Sequence, residues 1–316
     1  MQRIAQPKLG FVLALIATLF IHGCASVPIE KRPGFKSDPS QSVASNVIRA
    51  AWLNRVRDQK ISRADYETYQ KEMKQPASIN TARAVLDVGV AATATPLGLA
   101  TLANVGGAVA YWAFFKPADT RKANWVFAWV PASKASSEEE ATKHVVDLIQ
   151  TNLKPIMEDP IYAKYKPHPI RISTKYRMQY GYEMEGERCE RKTKNIPACA
   201  VGMMTNKKTR APGKPAFFGV TKVNMPDFTS QPGAPGYLLK AYLMDNGWSL
   251  ARGRLKDLDT LSIFTRLSAR LPDYVYLYLA PRQYGATRED GTVGPGRVPL
   301  VLNQGKALLF VVPKDG

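Results

Sequence analysis

The stretch VGVAATATPLGLATLANVGGAVAYWAFF, residues 88 to 115, carries no charge over twenty-eight positions. A run of that length and polarity has few fates. As one helix it is long enough to cross a bilayer, because about 20 residues rising 1.5 Å each span the roughly 30 Å hydrocarbon core. Tyr111 and Trp112, followed by Lys116, stand where interfacial anchors belong. Small residues four apart, Ala94 with Gly98 and Ala103 with Gly107, would let a second helix approach closely. Pro96, the Gly106-Gly107 pair and the abundance of alanine and threonine point the other way, to a helical hairpin broken near Pro96 and buried against the rest of the protein or a partner. Either way the segment is expected to meet membrane, partner helices or the chain's own core.

A second apolar run lies at the start. Arg3 and Lys8 precede thirteen uncharged, mostly apolar residues, Leu9 to Ile21. As a helix these reach only about 20 Å, too short for a permanent span, so residues 1–23 read as a signal peptide. The following Ile21-His22-Gly23-Cys24 resembles the lipobox of bacterial lipoproteins, with His22 in place of the usual small residue. The resemblance implies cleavage after Gly23, acylation of Cys24, and a membrane held through the N-terminal lipid. Ala25, where an aspartate would signal inner-membrane retention, implies the outer membrane, with the protein facing the periplasm. Residues 24–39, with prolines at 28, 33 and 39, read as an extended tether with a reach on the order of 50 Å.

The whole chain carries a net charge of +18, of which residues 1–23 hold two positive charges and no negative ones. Nucleic acid is the reflex partner for such a charge, but an exported, lipid-anchored chain meets none. The polyanions within reach are anionic lipid, lipopolysaccharide and cell-wall polymer. The charge is concentrated mid-chain. Residues 170 to 186, IRISTKYRMQYGYEMEG, read as one strand with Ile172, Thr174, Tyr176, Met178, Tyr180 and Tyr182 on one side and a basic ladder on the other. Between Arg188 and Lys222 stand nine basic residues against the single acid Glu190. Arg171, Lys175 and Arg177, with Lys207, Lys208 and Arg210, form the candidate polyanion-binding surface; the plainer alternative is a solvated face.

The remaining cysteines, Cys189 and Cys199, are a disulfide candidate, since export is to an oxidising compartment and Cys24 is taken by lipid. Two cysteines do not complete a zinc site, and neither His144 nor His168 has ligand spacing to them, so no metal or cofactor is expected.

Periodicity supplies the elements. Val47, Ile48, Ala51, Trp52 and Val56, then Tyr66, Tyr69 and Met73, recur at helical spacing with a break near Ile61-Ser62. Trp125, Phe127 and Trp129 alternate over a strand, and Ser137 to Glu140 form a capping box for a helix lined by Ala141, Val145, Leu148, Ile149 and Leu153. Leu258, Leu261, Phe264, Leu267 and Leu271 mark a later helix ended by Pro272; residues 274–280 read as a strand and 299–313 as a hairpin turning at 303–305. The expected class is α+β: an N-terminal helical segment with an apolar Gly/Ala-rich stretch, then a mainly antiparallel sheet with helices packed on one face. The expected divisions are signal peptide 1–23, tether 24–39, helical region 40–118 and an α+β domain 124–316 that builds its own core.

Catalytic motifs are not legible. Gly247-Trp248-Ser249-Leu250-Ala251 falls short of a nucleophile elbow, and His144 and His168 both precede the serine, the wrong order for that class. The chain therefore reads as a lipid-anchored, non-enzymatic subunit or accessory factor of an envelope assembly, with protein partners met through 88–115. The alternatives are a binding module for anionic envelope polymer and a cell-envelope hydrolase using scattered carboxylates.

Overall fold

A computed structural model of the chain describes residues 33–53, 56–73, 123–173, 177–186, 189, 199–206, 219–245, 258–280, 282–287, 293–297 and 299–314. Its elements in chain order are α1 (Val43–Ala50), β1 (Gln59–Ile61), α2 (Arg63–Met73), β2 (Trp125–Pro131), α3 (Glu138–Met157), a 3-10 turn (Pro160–Tyr165), β3 (His168–Ser173), β4 (Arg177–Glu183), β5 (Ala200–Asn206), β6 (Gly219–Asn224), β7 (Pro235–Asp245), α4 (Thr260–Ser268), β8 (Val275–Leu279), β9 (Arg282–Thr287), β10 (Val293–Arg297), β11 (Leu300–Asn303), β12 (Lys306–Leu309) and β13 (Val311–Pro313). Nine strands form one antiparallel sheet in the order β12-β11-β8-β2-β7-β5-β4-β3, with β6 also paired to β7. The architecture is α+β.

The sheet's centre follows from the composition of β2, WVFAWVP, all seven residues of which are buried. A strand apolar on both faces needs a layer on each side. On one face Val126, Ala128 and Val130 meet α3 and α4, with Val145, Ile149, Leu153, Phe264 and Leu267 in a single core. On the other, Trp125, Phe127 and Trp129 share a second core with Val47, Ile48 and Ala51 at α1. The expectation of helices on one face is thus corrected. Trp129 meets Phe228 and Tyr276 edge-on at 5.1 and 5.5 Å, and Trp125 lies 4.4 Å from Tyr242, geometries that aromatic quadrupoles favour.

Local signals fix the helices. Ser137 caps α3 by accepting the Glu140 N–H, while the Glu140 carboxylate reaches back to the N–H and hydroxyl of Ser136, one residue earlier than a standard capping box. Asp259 caps α4 through the Ser262 N–H, and Ser42 caps α1 through the Ser45 N–H.

The division at 118/124 is not a boundary between cores. The α1 side chains Ala44, Val47 and Ile48 have no exposed surface, β1 pairs in parallel with β13, and the Tyr69 hydroxyl of α2 accepts the Leu309 N–H at 2.9 Å. The last residues of the segment expected to be a tether are docked on the domain. Gly34 lies so close to Met225 that a Cβ would fall 2.3 Å from the Met225 carbonyl oxygen. Phe35 O accepts the Asp227 N–H, and Ser37 donates its N–H and hydroxyl to the Asp227 carboxylate at 2.7 and 2.6 Å.

Residues 170 to 183 are not one strand. β3 and β4 are an antiparallel hairpin pairing Arg171 with Tyr180, Ile172 with Gln179 and Ser173 with Met178. Each pair joins an odd position to an even one, so the reversal puts Ile170 and Ile172 in the α1-side layer and Tyr180 and Tyr182 in the α3-side layer. Further along, Gly181 faces Gly202 across the ladder at φ 148° and 151°, and a Cβ on either would fall 2.1 Å from a backbone oxygen of the other strand. Only two glycines permit that approach. β5 and β6 occupy the same edge of β7, opposite Tyr242–Asp245 and Pro235–Lys240 respectively. They are two pieces of one strand line, separated in sequence by residues 207–218.

Candidate functional site

A groove of about 860 Å³ runs between the first half of α3 and the sheet edge formed by β3, β4 and β6. Its floor is apolar, from Val146, Met178 and Val220, with Tyr180 rising from β4. Burial pushes the Tyr180 phenol up, a shift that the Arg171 guanidinium opposes from 5.8 Å off the ring. The Tyr180 hydroxyl donates to the Met178 sulfur at 3.1 Å. Along the rim, Lys143 pairs with Asp147 at 2.9 Å on an exposed helix turn, where solvent screens the contact. Glu138 and Glu139 complete it at the N-terminus of α3, where the macrodipole favours them.

Lys143 and Arg171 therefore face Glu138, Glu139 and Asp147. Among the described residues of this lining three acids stand with two bases, a field of mixed charge. Of the residues expected to bind polyanions, Arg171 lines the groove, whereas Arg177 lies on the opposite face, where its charge acts on Tyr242. Lys175, Lys207, Lys208 and Arg210 lie outside the described residues, as do Cys24 and residues 88–115. The residues that flank 207–218 are placed: Asn206 pairs with Arg177, and Gly219 lines the groove.

Cys189 and Cys199 are joined by a disulfide, as expected, with Cα atoms 5.2 Å apart. The bridge clips the end of β4 to the start of β5, where Cys199 O also accepts the Met184 N–H at 2.9 Å. His144 Nε2 is 2.8 Å from the Tyr274 hydroxyl, and its ring is held below the usual imidazole range by burial and then by Lys134. This is a packing role at the helix flank. Among the described residues no three His, Cys, Asp or Glu side chains come together as a metal set. No helix among them is long and apolar enough to cross a membrane.

One charged group was not anticipated. Lys240, in the middle of β7, is 3% exposed; its amine lies 3.4 Å from the Ala51 carbonyl at the end of α1 and 5.0 Å from the Trp52 ring centroid. Burial pulls it down to about 8. Trp52, 41% exposed, adopts φ 60° just past the helix, a conformation uncommon for a bulky side chain, and so brings its indole over the ammonium. The signal in sequence is a single lysine inside the apolar run Tyr237–Met244.

Family models, curated proteins and solved structures were compared with the chain, and none matches.

Proposed function

We propose that this chain is a lipid-anchored protein of the bacterial outer membrane, serving as a non-enzymatic subunit or accessory factor of an envelope assembly. The observation that carries the reading is the cysteine arrangement. Two of three cysteines are bridged, which suits an oxidising compartment, and the third stands in a lipobox behind a signal-like segment. Attachment follows from the acyl chains, each buried methylene contributing about 0.8 kcal/mol. Residues 88–115 supply the contact with partners, being charge-free and rich in the small residues that helix interfaces use.

Metabolic labelling with a fatty-acid analogue tests the anchor. Wild-type protein should incorporate label and fractionate with membranes; Cys24→Ser should do neither. Equal labelling of the variant would refute the assignment.

A further inference from the structure

We propose that the edge of the domain formed by loop 225–234 and the docked segment Gly34–Asp38 is its membrane-proximal surface, held against the bilayer that carries the Cys24 acyl chains. The inference rests on acylation of Cys24 and adds an orientation to it.

Residues 34 to 38 are gripped from two sides. From the loop, Asp227 takes the Ser37 N–H and hydroxyl and gives its own N–H to Phe35 O at 3.1 Å. The Phe35 ring meets Phe228 edge-on at 6.3 Å, and Phe228 in turn meets Trp129 and Tyr276. From α1, Asn46 accepts the Asp38 N–H at 2.8 Å and returns its amide to Asp38 O at 2.9 Å, while the Arg49 guanidinium lies 5.7 Å over the Phe35 ring. Gly34 closes the grip, since no side chain fits between it and Met225. The exit point is therefore part of the folded domain.

Nine residues, 25–33, lie between Cys24 and Gly34, making ten steps along the backbone. Fully extended they reach at most about 35 Å. The exit lies at one end of the sheet, beside the start of β7, where Met225 bonds Ala234 and Pro235 O accepts the Ala132 N–H. β7 is eleven residues long, so its far end at Asp245 stands about 35 Å beyond the exit. A short leash fixed to one end of an elongated sheet keeps that end nearer the anchor. Undocking residues 34–38 would lengthen the leash and remove its fixed direction. The lining charges at this end are mixed, with Lys36 beside Asp227, so the leash, and not an electrostatic patch, sets the orientation.

The test uses the full chain, acylated, in phosphatidylethanolamine/phosphatidylglycerol vesicles that carry an energy acceptor on a fraction of headgroups. A donor dye is placed through a genetically encoded azide at Ser230, in the loop, or at Glu185, past the far end of β4. Transfer should be several-fold more efficient from position 230 than from 185. In Gly34→Val/Asp227→Ala, with the disulfide intact and melting still cooperative, that contrast should shrink. Equal or reversed transfer in wild-type protein shown by mass to be acylated would overturn the orientation while leaving the anchor standing. A contrast unchanged in the double variant would overturn the role of the latch. Absence of the acyl mass would remove the anchor and this inference together.

Discussion

Replacing Lys240 by methionine should stabilise the protein at neutral pH. The ammonium is almost fully buried, with the Ala51 carbonyl and the Trp52 ring as its contacts, and burial brings it from 10.5 down to about 8. A lysine depressed in the folded state disfavours folding wherever the amine is charged. The penalty is fully present below pH 8 and is relieved as pH rises from 8 to 10.5, the unfolded value. A difference of that size corresponds to roughly 3 kcal/mol at pH 7, already net of the contacts the ammonium makes. Methionine matches the length of the stem and brings no charge, so the variant should gain up to about that amount. By pH 9.5 the advantage should narrow by roughly 2 kcal/mol, because the wild-type amine is then mostly neutral in the folded protein. Tyr69, pushed up to about 12 by burial, works in the opposite direction above pH 10, which sets the upper limit of the comparison. Urea unfolding at pH 7 and pH 9.5 measures both terms. A variant no more stable than wild type at pH 7, with a gap that does not narrow at 9.5, would refute the reasoning.

Four further outcomes are expected. Removing the disulfide by Cys189→Ala/Cys199→Ala should lower stability by roughly 2–3 kcal/mol in the chain-entropy model, read by denaturation, and a non-reduced digest of the native protein should yield the two peptides joined. Gly181→Ala, whose Cβ would fall 2.1 Å from Val201 O, should lose roughly 3 kcal/mol or more in the same assay. Ser137→Ala removes the cap of α3 and should lose about 1 kcal/mol. A chain beginning at Asn124 should fail to melt cooperatively, because Val47 and Ile48 alone bury side chains worth roughly 1.5–3 kcal/mol each and β13 would lose its partner β1; a sharp thermal transition would contradict this.

What the sequence makes legible is local. α3 and α4 announce themselves through caps and a helical stripe, and the turn at 303–305 through Asn303-Gln304-Gly305 between two apolar runs. The β3–β4 hairpin escapes notice because the sequence between its strands, Thr174-Lys175-Tyr176, contains no glycine, proline or asparagine, and because alternation continues through it without a visible break in phase. The same oversight joins Arg171 and Arg177 into one ladder, whereas the reversal puts them on opposite faces. The second layer was signalled by β2, whose two faces are equally apolar, and by Leu238, Met244 and Tyr278 on neighbouring strands. What no local pattern reveals is that α1, far back in the chain, supplies that layer. Lys240 is the converse case, a lysine visible in the sequence whose burial depends on a helix end nearly two hundred residues away.

The pairing of β1 with β13 also has a bearing on biosynthesis. β1 is made long before its partner, Val311 to Pro313. α1 likewise waits for Lys240 and Phe310, and the segment at Gly34 for Met225 and Asp227. Each of these contacts joins residues far apart in sequence, so closure of each loop is entropically expensive and none can form before its later member is made. Until then the apolar surface that these contacts cover stays open on the nascent chain, where a chaperone can hold it. A stop codon just before Val311 would take from β1 the strand it pairs with.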